Sequence, residues 1–266
     1  MFRRRTLALI VFVLCMAPAF QARADTVTLY PSYTGSEFQG SNQQAVLGNG
    51  AWQSTTGGKT SVYLTPEVLY GTGSSFTVGD LQSFSWQTFD PSTDADTNNS
   101  WYMNMYTAAD GVDDDASWYG RRLTWEALYA NNRNHNEDQW VQWQTEDPSE
   151  NQLTMFDSNR TNAGFYGGPT LDVITSGPID WSAYPTSGST DIIDYRPEEV
   201  MYVWLGTGSG WGPDYEGYID ELKMEHNPQV TVDFEPTAEA IPEPATLALL
   251  GISALGLMVR RRRRSA

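Results

Sequence analysis

The sequence predicts an all-β fold, a two-sheet antiparallel sandwich of the jelly-roll type. Short runs in which apolar and polar residues alternate are separated by turn residues, and long amphipathic helical patterns are absent. Aromatic residues make up 13% of the chain, enough to fill a large core. We expect a helix at each end of this sandwich, an N-terminal signal helix and a short C-terminal hydrophobic helix.

Nine segments have the alternation or apolar character expected of strands. They are residues 26–30, 61–64, 81–89, 101–107, 122–129, 152–156, 170–174, 200–205 and 217–224. The segment 200–205 is apolar on both faces, which predicts a central strand. This number of short strands, with turn signals between them, favours two packed sheets. The tryptophans on strands are expected in the core: Trp86, Trp101, Trp125 and Trp204.

The first 24 residues are expected to form a cleaved signal peptide. Arginines at positions 3–5 precede an apolar segment at 7–20, and Ala22 and Ala24 form a small-x-small cleavage site. We therefore expect export by Sec-type machinery, with Asp25 as the new N-terminus. Cys15, the only cysteine of the chain, lies inside this segment. The exported part can therefore form no internal disulfide and offers no thiol nucleophile.

The region between the two ends is strongly acidic. Nine of the 16 basic residues lie in the segments 1–24 and 242–266, whereas Glu243 is the only one of the 33 acidic residues found there. Residues 25–241 therefore carry 7 basic and 32 acidic residues. We expect no nucleic-acid partner, because binding of a phosphate backbone requires a basic surface. The acidic surface is expected to keep an exported protein soluble.

The C-terminal segment combines three features in a fixed order. They are the motif Pro242, Glu243 and Pro244, an uncharged run of 15 residues at 245–259, and the basic cluster Arg260, Arg261, Arg262, Arg263 and Arg264. As a helix the uncharged run would be about 22 Å long, shorter than the hydrocarbon core of a bilayer at about 30 Å. It therefore predicts a marginal transmembrane helix whose arginines stay in the cytoplasm. The two prolines keep Glu243 in an extended peptide, the conformation that a protease binds.

This combination resembles the PEP-CTERM sorting signal of exported bacterial proteins, a segment also known as the ice-binding protein C-terminal domain. The resemblance implies that an exosortase-type membrane cysteine protease processes residues 241–266. It also implies a location at the cell surface or outside the cell, reached after transient attachment to the inner membrane. A plain C-terminal anchor that is never cut is the alternative. The proline-containing segment 226–240 is expected to be a linker between this tail and a sandwich at 25–225.

A second resemblance concerns the fold. Residues 211–224 contain Gly217, Ile219, Asp220 and Leu222 in a Gly-x-Ile-Asp-x-Leu pattern. This resembles the last strand of laminin-G-like and concanavalin-type sandwiches, in which such a pattern closes the sheet. The resemblance implies a sandwich associated with carbohydrate.

Two acidic loops are candidate sites for a structural Ca²⁺ ion. The candidate ligands are Asp90, Asp94 and Asp96 in the first loop and Asp110, Asp113 and Asp115 in the second. Carboxylate oxygens are ligands that Ca²⁺ prefers, although neither loop has the spacing of an EF-hand. A cation would relieve the repulsion between neighbouring carboxylates. Solvated acidic turns without a metal are the alternative.

Aromatic side chains on loops are candidates for binding sugars, because the C–H faces of pyranose rings stack on aromatic rings. The candidate platform consists of Trp118, Tyr119, Trp140, Trp143 and Trp211. The neighbouring segment 131–136 supplies amide side chains that can hydrogen-bond to sugar hydroxyls. Semi-buried packing of these rings is the alternative.

Two functions are compatible with the sequence. The first is a non-enzymatic protein of the cell surface or extracellular matrix, with an extracellular polysaccharide as the expected partner. The second is a secreted glycan-active hydrolase on a concanavalin-like sandwich, which would need two carboxylates about 5–10 Å apart. Asp220 with Glu216 or Glu126 is the best pair available, but no spacing in the sequence supports it. We therefore expect a protein without enzymatic activity.

Overall fold

The computed structural model of the chain describes most of the region between its two ends. The described residues are 25–29, 39–41, 45–54, 60–91, 99–112, 114, 118–158, 166–184, 187–208 and 215–235. The expected signal helix with Ala22 and Ala24, and the whole C-terminal tail, lie outside this set. Within the ranges given, no helix has the length and apolarity that crossing a membrane requires.

Short strands make up most of the regular structure. The strands are β1 (Asp25–Leu29), β2 (Gln39–Ser41), β3 (Ala51–Gln53), β4 (Ser61–Leu64), β5 (Ser83–Phe89), β6 (Tyr102–Thr107), β7 (Arg122–Glu126), β8 (Trp140–Gln144), β9 (Met155–Asp157), β10 (Ile179–Asp180), β11 (Ile192–Ile193), β12 (Val200–Gly206), β13 (Tyr218–Glu225) and β14 (Gln229–Phe234). The helices are α1 (Pro66–Tyr70) and α2 (Leu171–Ser176), and single 3₁₀ turns span Val78–Asp80, Ala127–Tyr129 and Trp181–Ala183. The predicted all-β class is confirmed.

One layer of the sandwich is a five-stranded antiparallel sheet. Its strand order is β4–β12–β6–β7–β9, so β12 lies between two neighbours as its two-sided apolar sequence predicts. Successive residues of a strand point to opposite faces. In β6 the side chains of Met103 and Met105 therefore point into the core, while those of Tyr102, Asn104 and Tyr106 point the other way.

The second layer is a seven-stranded sheet built around β13. Strand β5 lies on one side of β13 and is followed by β8. On the other side of β13, β3 pairs with residues 218–219 and β14 with residues 222–225, so these two strands follow one another end to end. Strand β2 lies outside β3, and β1 lies outside β14 as the single parallel pair among the described strands of this sheet.

The core between the sheets is rich in tryptophan. The side chains of Trp52, Trp86, Trp101, Trp125 and Trp143 are completely buried. Phe84 contacts the edge of Trp125 with ring centroids 5.0 Å apart. Each such side chain stabilises the fold by about 1.5–3 kcal/mol through removal of its apolar surface from water. Residues 25–266 contain no cysteine, so this core is stabilised by burial without disulfides.

One predicted strand is wrong. Residues 170–174 contribute not to a strand but to helix α2, which begins after Thr170. Leu171 and Ile174 are buried whereas Val173 is exposed, and this spacing of three places both buried side chains on one helical face. Asp172 in the first turn also favours a helix.

The sandwich extends beyond the predicted boundary at residue 225. Strand β14 occupies most of the first half of the expected linker 226–240 and is hydrogen-bonded to β13 and β1. Val230, Val232 and Phe234 alternate with polar residues and are buried in the core. The alternation of apolar and polar residues is the pattern that matches the observed strand. The nearby prolines, which favoured an extended linker, do not prevent it. The described part of the domain therefore reaches Glu235.

Candidate functional site

The five-stranded sheet presents an unusually aromatic outer surface. We call this surface the aromatic face; it comprises Tyr63, Tyr102, Asn104, Tyr106, Trp118, Tyr119, Arg122, Thr124, Glu126, Phe156, Tyr202 and Trp204. Strand pairing sets the order of one row, in which Tyr63, Trp204, Asn104, Thr124 and Phe156 are successive neighbours. The face is therefore held by a continuous hydrogen-bonded sheet.

Trp204 is the most deeply buried aromatic residue of the aromatic face. Its indole is fully buried and lies 4.8 Å from the ring of Tyr102, measured between centroids. It also covers Gly206, where an added Cβ would come within 2.6 Å of the indole and 2.5 Å of the Thr60 carbonyl oxygen. A glycine at position 206 thus provides the space that the Trp204 ring occupies.

The upper layer of the aromatic face is exposed to solvent. Trp118 is 54% exposed and Tyr63 is 45% exposed. The Trp118 ring stacks on Tyr106 with centroids 5.1 Å apart and planes 30° from parallel, and it contacts the edge of Tyr119 at 4.5 Å. Tyr63 contacts the edge of Tyr202 at 5.8 Å. Two accessible rings are thus supported from below by other aromatic rings.

Polar groups lie among these rings. Thr124 donates a hydrogen bond to Asn104 Oδ1, and Arg122 Nε donates one to Ser158 Oγ at 2.7 Å. Glu126 lies beside Tyr102 in the strand register, and burial raises the pKa of its carboxyl to about 7. Burial, followed by repulsion from Glu126, raises the pKa of Tyr102 to about 12. The face therefore offers hydrogen-bonding groups in surroundings from which water is partly excluded.

A second polar surface lies beside the edge strand β8. A pocket of about 260 Å³ is lined by Asn134, Asn136, Gln139, Trp140, Val141, Gln142, Gln144, Glu150 and Asn151, and we call it the amide pocket. Its wall is held by hydrogen bonds from Asn134, which donates its backbone N–H to Asn151 Oδ1 at 2.6 Å and its Nδ2 to Glu150 Oε1 at 2.6 Å. Trp140 and part of the polar segment 131–136 thus meet in one place.

The five predicted platform residues have different environments. Trp118 is exposed on the aromatic face, whereas Tyr119 is largely buried beneath it. Trp140 is half-buried at the amide pocket. Trp143 is 0% exposed and donates its indole N–H to Thr88 Oγ1 at 2.8 Å, so the core excludes it from any sugar platform. Trp211 lies outside the described residues.

The predicted calcium ligands are only partly described. Asp90 is buried, and its two oxygens interact with Tyr215 Oη at 2.9 Å and His135 Nε2 at 2.7 Å. This carboxylate therefore anchors two segments of the protein internally. Asp110 accepts a hydrogen bond from the backbone N–H of Val112 within its own turn.

The remaining predicted ligands, Asp94, Asp96, Asp113 and Asp115, lie outside the described residues. In the part of the chain that is described, no group of three or more His, Cys, Asp or Glu side chains is arranged to hold a metal.

Of the two carboxylates considered as a catalytic partner of Asp220, Glu126 lies on the other sheet and Glu216 lies just before β13. Asp220 belongs to β13 of the seven-stranded sheet, and its oxygens accept hydrogen bonds from the backbone N–H groups of residues 46, 47, 221 and 234. Glu126 belongs to β7 of the five-stranded sheet. Asp220 therefore has a structural role in the turn and strands that surround it.

Sequence reasoning missed most of the aromatic face because it considered only aromatic residues on loops as binding candidates and assigned Trp204 to the core. The signal was present in β6, where Tyr102 and Tyr106 alternate with the core residues Met103 and Met105. A strand that is apolar on both faces in a two-layer sandwich must turn one apolar face outward.

Comparison with known proteins informs the C-terminal tail. Residues 240–264 match the PEP-CTERM protein-sorting motif, which confirms the resemblance that Pro242, Glu243 and Pro244 indicate. No curated protein matches the chain. The motif covers the tail alone and carries no information about the ligand of the sandwich. It marks the chain as an exported, cell-surface-associated protein that is sorted by exosortase-type machinery.

Proposed function

We propose that this exported chain is a non-enzymatic carbohydrate-binding protein of the cell surface or extracellular matrix, and that the aromatic face is its binding surface. The observation that carries the proposal is the pair of exposed rings, Trp118 and Tyr63, supported by further aromatic rings on a continuous sheet. Large exposed apolar surfaces on a folded domain usually mark a binding site.

The chemistry of the face suits a sugar. Aromatic side chains offer a broad contact area with little loss of conformational entropy, because each has only two side-chain torsions. Tyrosine hydroxyls and the half-buried side chains of Arg122 and Glu126 can exchange hydrogen bonds with sugar hydroxyls. The acidic composition of residues 25–241 disfavours an anionic polysaccharide, so we infer a neutral or amino-sugar polymer as the ligand.

The distribution of charge favours binding over hydrolysis. Glycoside hydrolysis generally requires two carboxylates on opposite sides of the scissile bond, about 5–10 Å apart. Of the residues that define the aromatic face, Glu126 is the single carboxylate. The amide pocket likewise contains one carboxylate, that of Glu150.

The proposal is tested by screening the full chain, kept in mild detergent, against an array of neutral, amino-sugar and acidic polysaccharides. Calorimetric titration with the best-binding glycan then compares three variants. Trp118→Ala and Tyr63→Ala are each expected to weaken binding by about 10- to 30-fold, the typical effect of removing a central aromatic contact. Trp140→Ala, at the amide pocket, is the matched control and is expected to change affinity less than about 2-fold.

Three results would overturn the proposal. Absence of binding across the array would leave the aromatic face without its expected ligand. A loss of affinity in Trp140→Ala, with Trp118→Ala unaffected, would move the site to the amide pocket. Release of new reducing ends from the bound glycan would establish a hydrolase instead.

A further inference from the structure

Three carboxylates lie near one another on the seven-stranded sheet, away from the aromatic face, although the three side chains together do not form a metal-binding group. We call Asp220, Asp233 and Glu235 the acidic cluster; it lies beneath the turn formed by residues 46–49. All three side chains are buried. A buried group of like charges is costly unless each charge is neutralised or hydrogen-bonded.

Asp220 is fully engaged by the protein. Its Oδ2 accepts hydrogen bonds from the backbone N–H groups of Val46 and Leu47, both at 2.9 Å. Its Oδ1 accepts from those of Glu221 at 2.7 Å and Phe234 at 3.3 Å. Asp220 thus holds the turn against β13 and β14 and has no need of a further partner.

Asp233, in contrast to Asp220, has a carboxylate oxygen that accepts no hydrogen bond from the described residues. It is 8% exposed, and its Oδ1 is buried without a hydrogen-bond partner among the described residues. Within the described part of the chain, this oxygen is therefore both buried and unsatisfied.

The unsatisfied oxygen faces the same small space as Glu235. A Cβ placed on Gly48 would lie 1.9 Å from Glu235 Oε1 and 3.0 Å from Asp233 Oδ1, so the two oxygens are no more than about 5 Å apart. Gly48 has a φ of 66°, and because it carries no Cβ the Glu235 carboxylate can approach its backbone closely. Asn49 donates its backbone N–H to Glu235 Oε1 at 2.7 Å, which fixes that carboxylate beside the turn.

A protein cation does not fill this space among the described residues. Lys223, the nearest lysine along β13, pairs with Glu221 at 2.7 Å. The unsatisfied Asp233 Oδ1 thus remains without a cationic side chain beside it in this part of the chain.

We propose that the acidic cluster binds a Ca²⁺ ion through Asp233 Oδ1 and the Glu235 carboxylate. Ca²⁺ accepts six to eight oxygen ligands in flexible geometry, whereas Mg²⁺ requires a near-ideal octahedron. With two side-chain ligands, the site needs backbone oxygens and water to complete the shell. The affinity is accordingly that of extracellular calcium modules, with a Kd on the order of 10⁻⁴–10⁻³ M. The bound ion ties the turn at 46–49 to the end of β14.

The first test is the thermal unfolding of the full chain at pH 7.5 in EGTA, Ca²⁺ or Mg²⁺. At ten times the Kd, Ca²⁺ is expected to raise Tm by about 3–6 °C, and Mg²⁺ by much less. Asp233→Asn removes the charge and keeps the shape. In EGTA this variant is expected to be at least as stable as the native chain, and in Ca²⁺ it is expected to show no rise in Tm. Glu146→Gln, which removes an exposed carboxylate elsewhere, is expected to retain the full rise.

A second test reports the location of the ion without depending on stability. Trp52 donates its indole N–H to the Glu235 carbonyl oxygen at 3.0 Å, close enough to sensitise the luminescence of Tb³⁺ bound as a Ca²⁺ substitute. Sensitised emission is expected in the native chain, with competition by Ca²⁺. Asp233→Asn and Glu235→Gln are each expected to weaken Tb³⁺ binding at least 10-fold, and Glu146→Gln is expected to leave it unchanged.

The proposal fails if 10 mM Ca²⁺ leaves Tm unchanged. It also fails if Asp233→Asn keeps both the rise in Tm and the terbium signal, since the ion would then be bound elsewhere. If Asp233→Asn does not fold, the same criteria apply to Glu235→Gln.

Discussion

Replacement of Glu126 by glutamine should make the protein more stable at neutral and alkaline pH. Burial raises the pKa of this carboxyl from 4.5 to about 7, so the folded protein holds the proton more tightly than the unfolded chain. The protonated group thus contributes fully to stability below pH 4.5, and this contribution is lost as the pH rises from 4.5 to 7. The shift corresponds to about 3 kcal/mol, which partial exposure of the side chain reduces to about 2 kcal/mol.

The assay is urea unfolding, followed by tryptophan fluorescence, of the native chain and Glu126→Gln at pH 4, 6 and 8. At pH 8 the variant should be more stable by about 2 kcal/mol, or about 4–8 °C in Tm, and at pH 4 the two proteins should be equally stable. Glu146→Gln, which removes an exposed charge, should follow the native chain at every pH. A Glu126→Gln variant that is less stable than the native chain at pH 8 would show that the ionised carboxylate stabilises the fold, and the reasoning would be refuted.

Two further predictions concern the seven-stranded sheet and the tail. Asp220→Ala leaves four backbone N–H donors without their acceptor. It should lower the free energy of unfolding in urea by at least about 4 kcal/mol, and Asp220→Asn should lower it less. Equal stability of Asp220→Ala and the native chain would contradict this prediction. Glu243→Ala, in the sorting motif, should leave the C-terminal tail attached to the exported protein, whereas mass spectrometry of the native protein should find the tail removed. Retention of the tail in the native protein would favour a plain anchor.

The sequence predicts the sandwich well where one face of a strand is polar. In β7 the alternation of Leu123 and Trp125 with Arg122 and Glu126 matches the observed burial of the first two residues. The prediction of residues 170–174 as a strand is wrong because a run of five residues cannot distinguish a period of two from a period of three and a half. Only the burial of Leu171 and Ile174 on one face of α2, which depends on tertiary packing, distinguishes the helical period from the strand period.

The candidate sites are less predictable because they depend on pairing between distant segments. The register of β4, β12 and β6 brings Tyr63, Trp204 and Asn104 into one row, although they are separated widely in the sequence. In the acidic cluster, Gly48 meets Glu235 across almost the whole domain. Alternation within a single strand carries no information about such neighbours.

The pairing of β1 with β14 fixes the order in which the sandwich can be completed. The first of these strands is synthesised near the beginning of the chain, and its hydrogen-bonding partner is the last of the described strands. A ribosome or a translocation pore that releases the chain from the N-terminus must therefore deliver more than 200 residues before Leu29 can meet Phe234. Only four residues separate Glu235 from the start of the motif at Ala240, and the five steps between these two residues can span at most about 18 Å. The edge of the sheet can thus close only when the segment that carries the sorting motif is about to emerge.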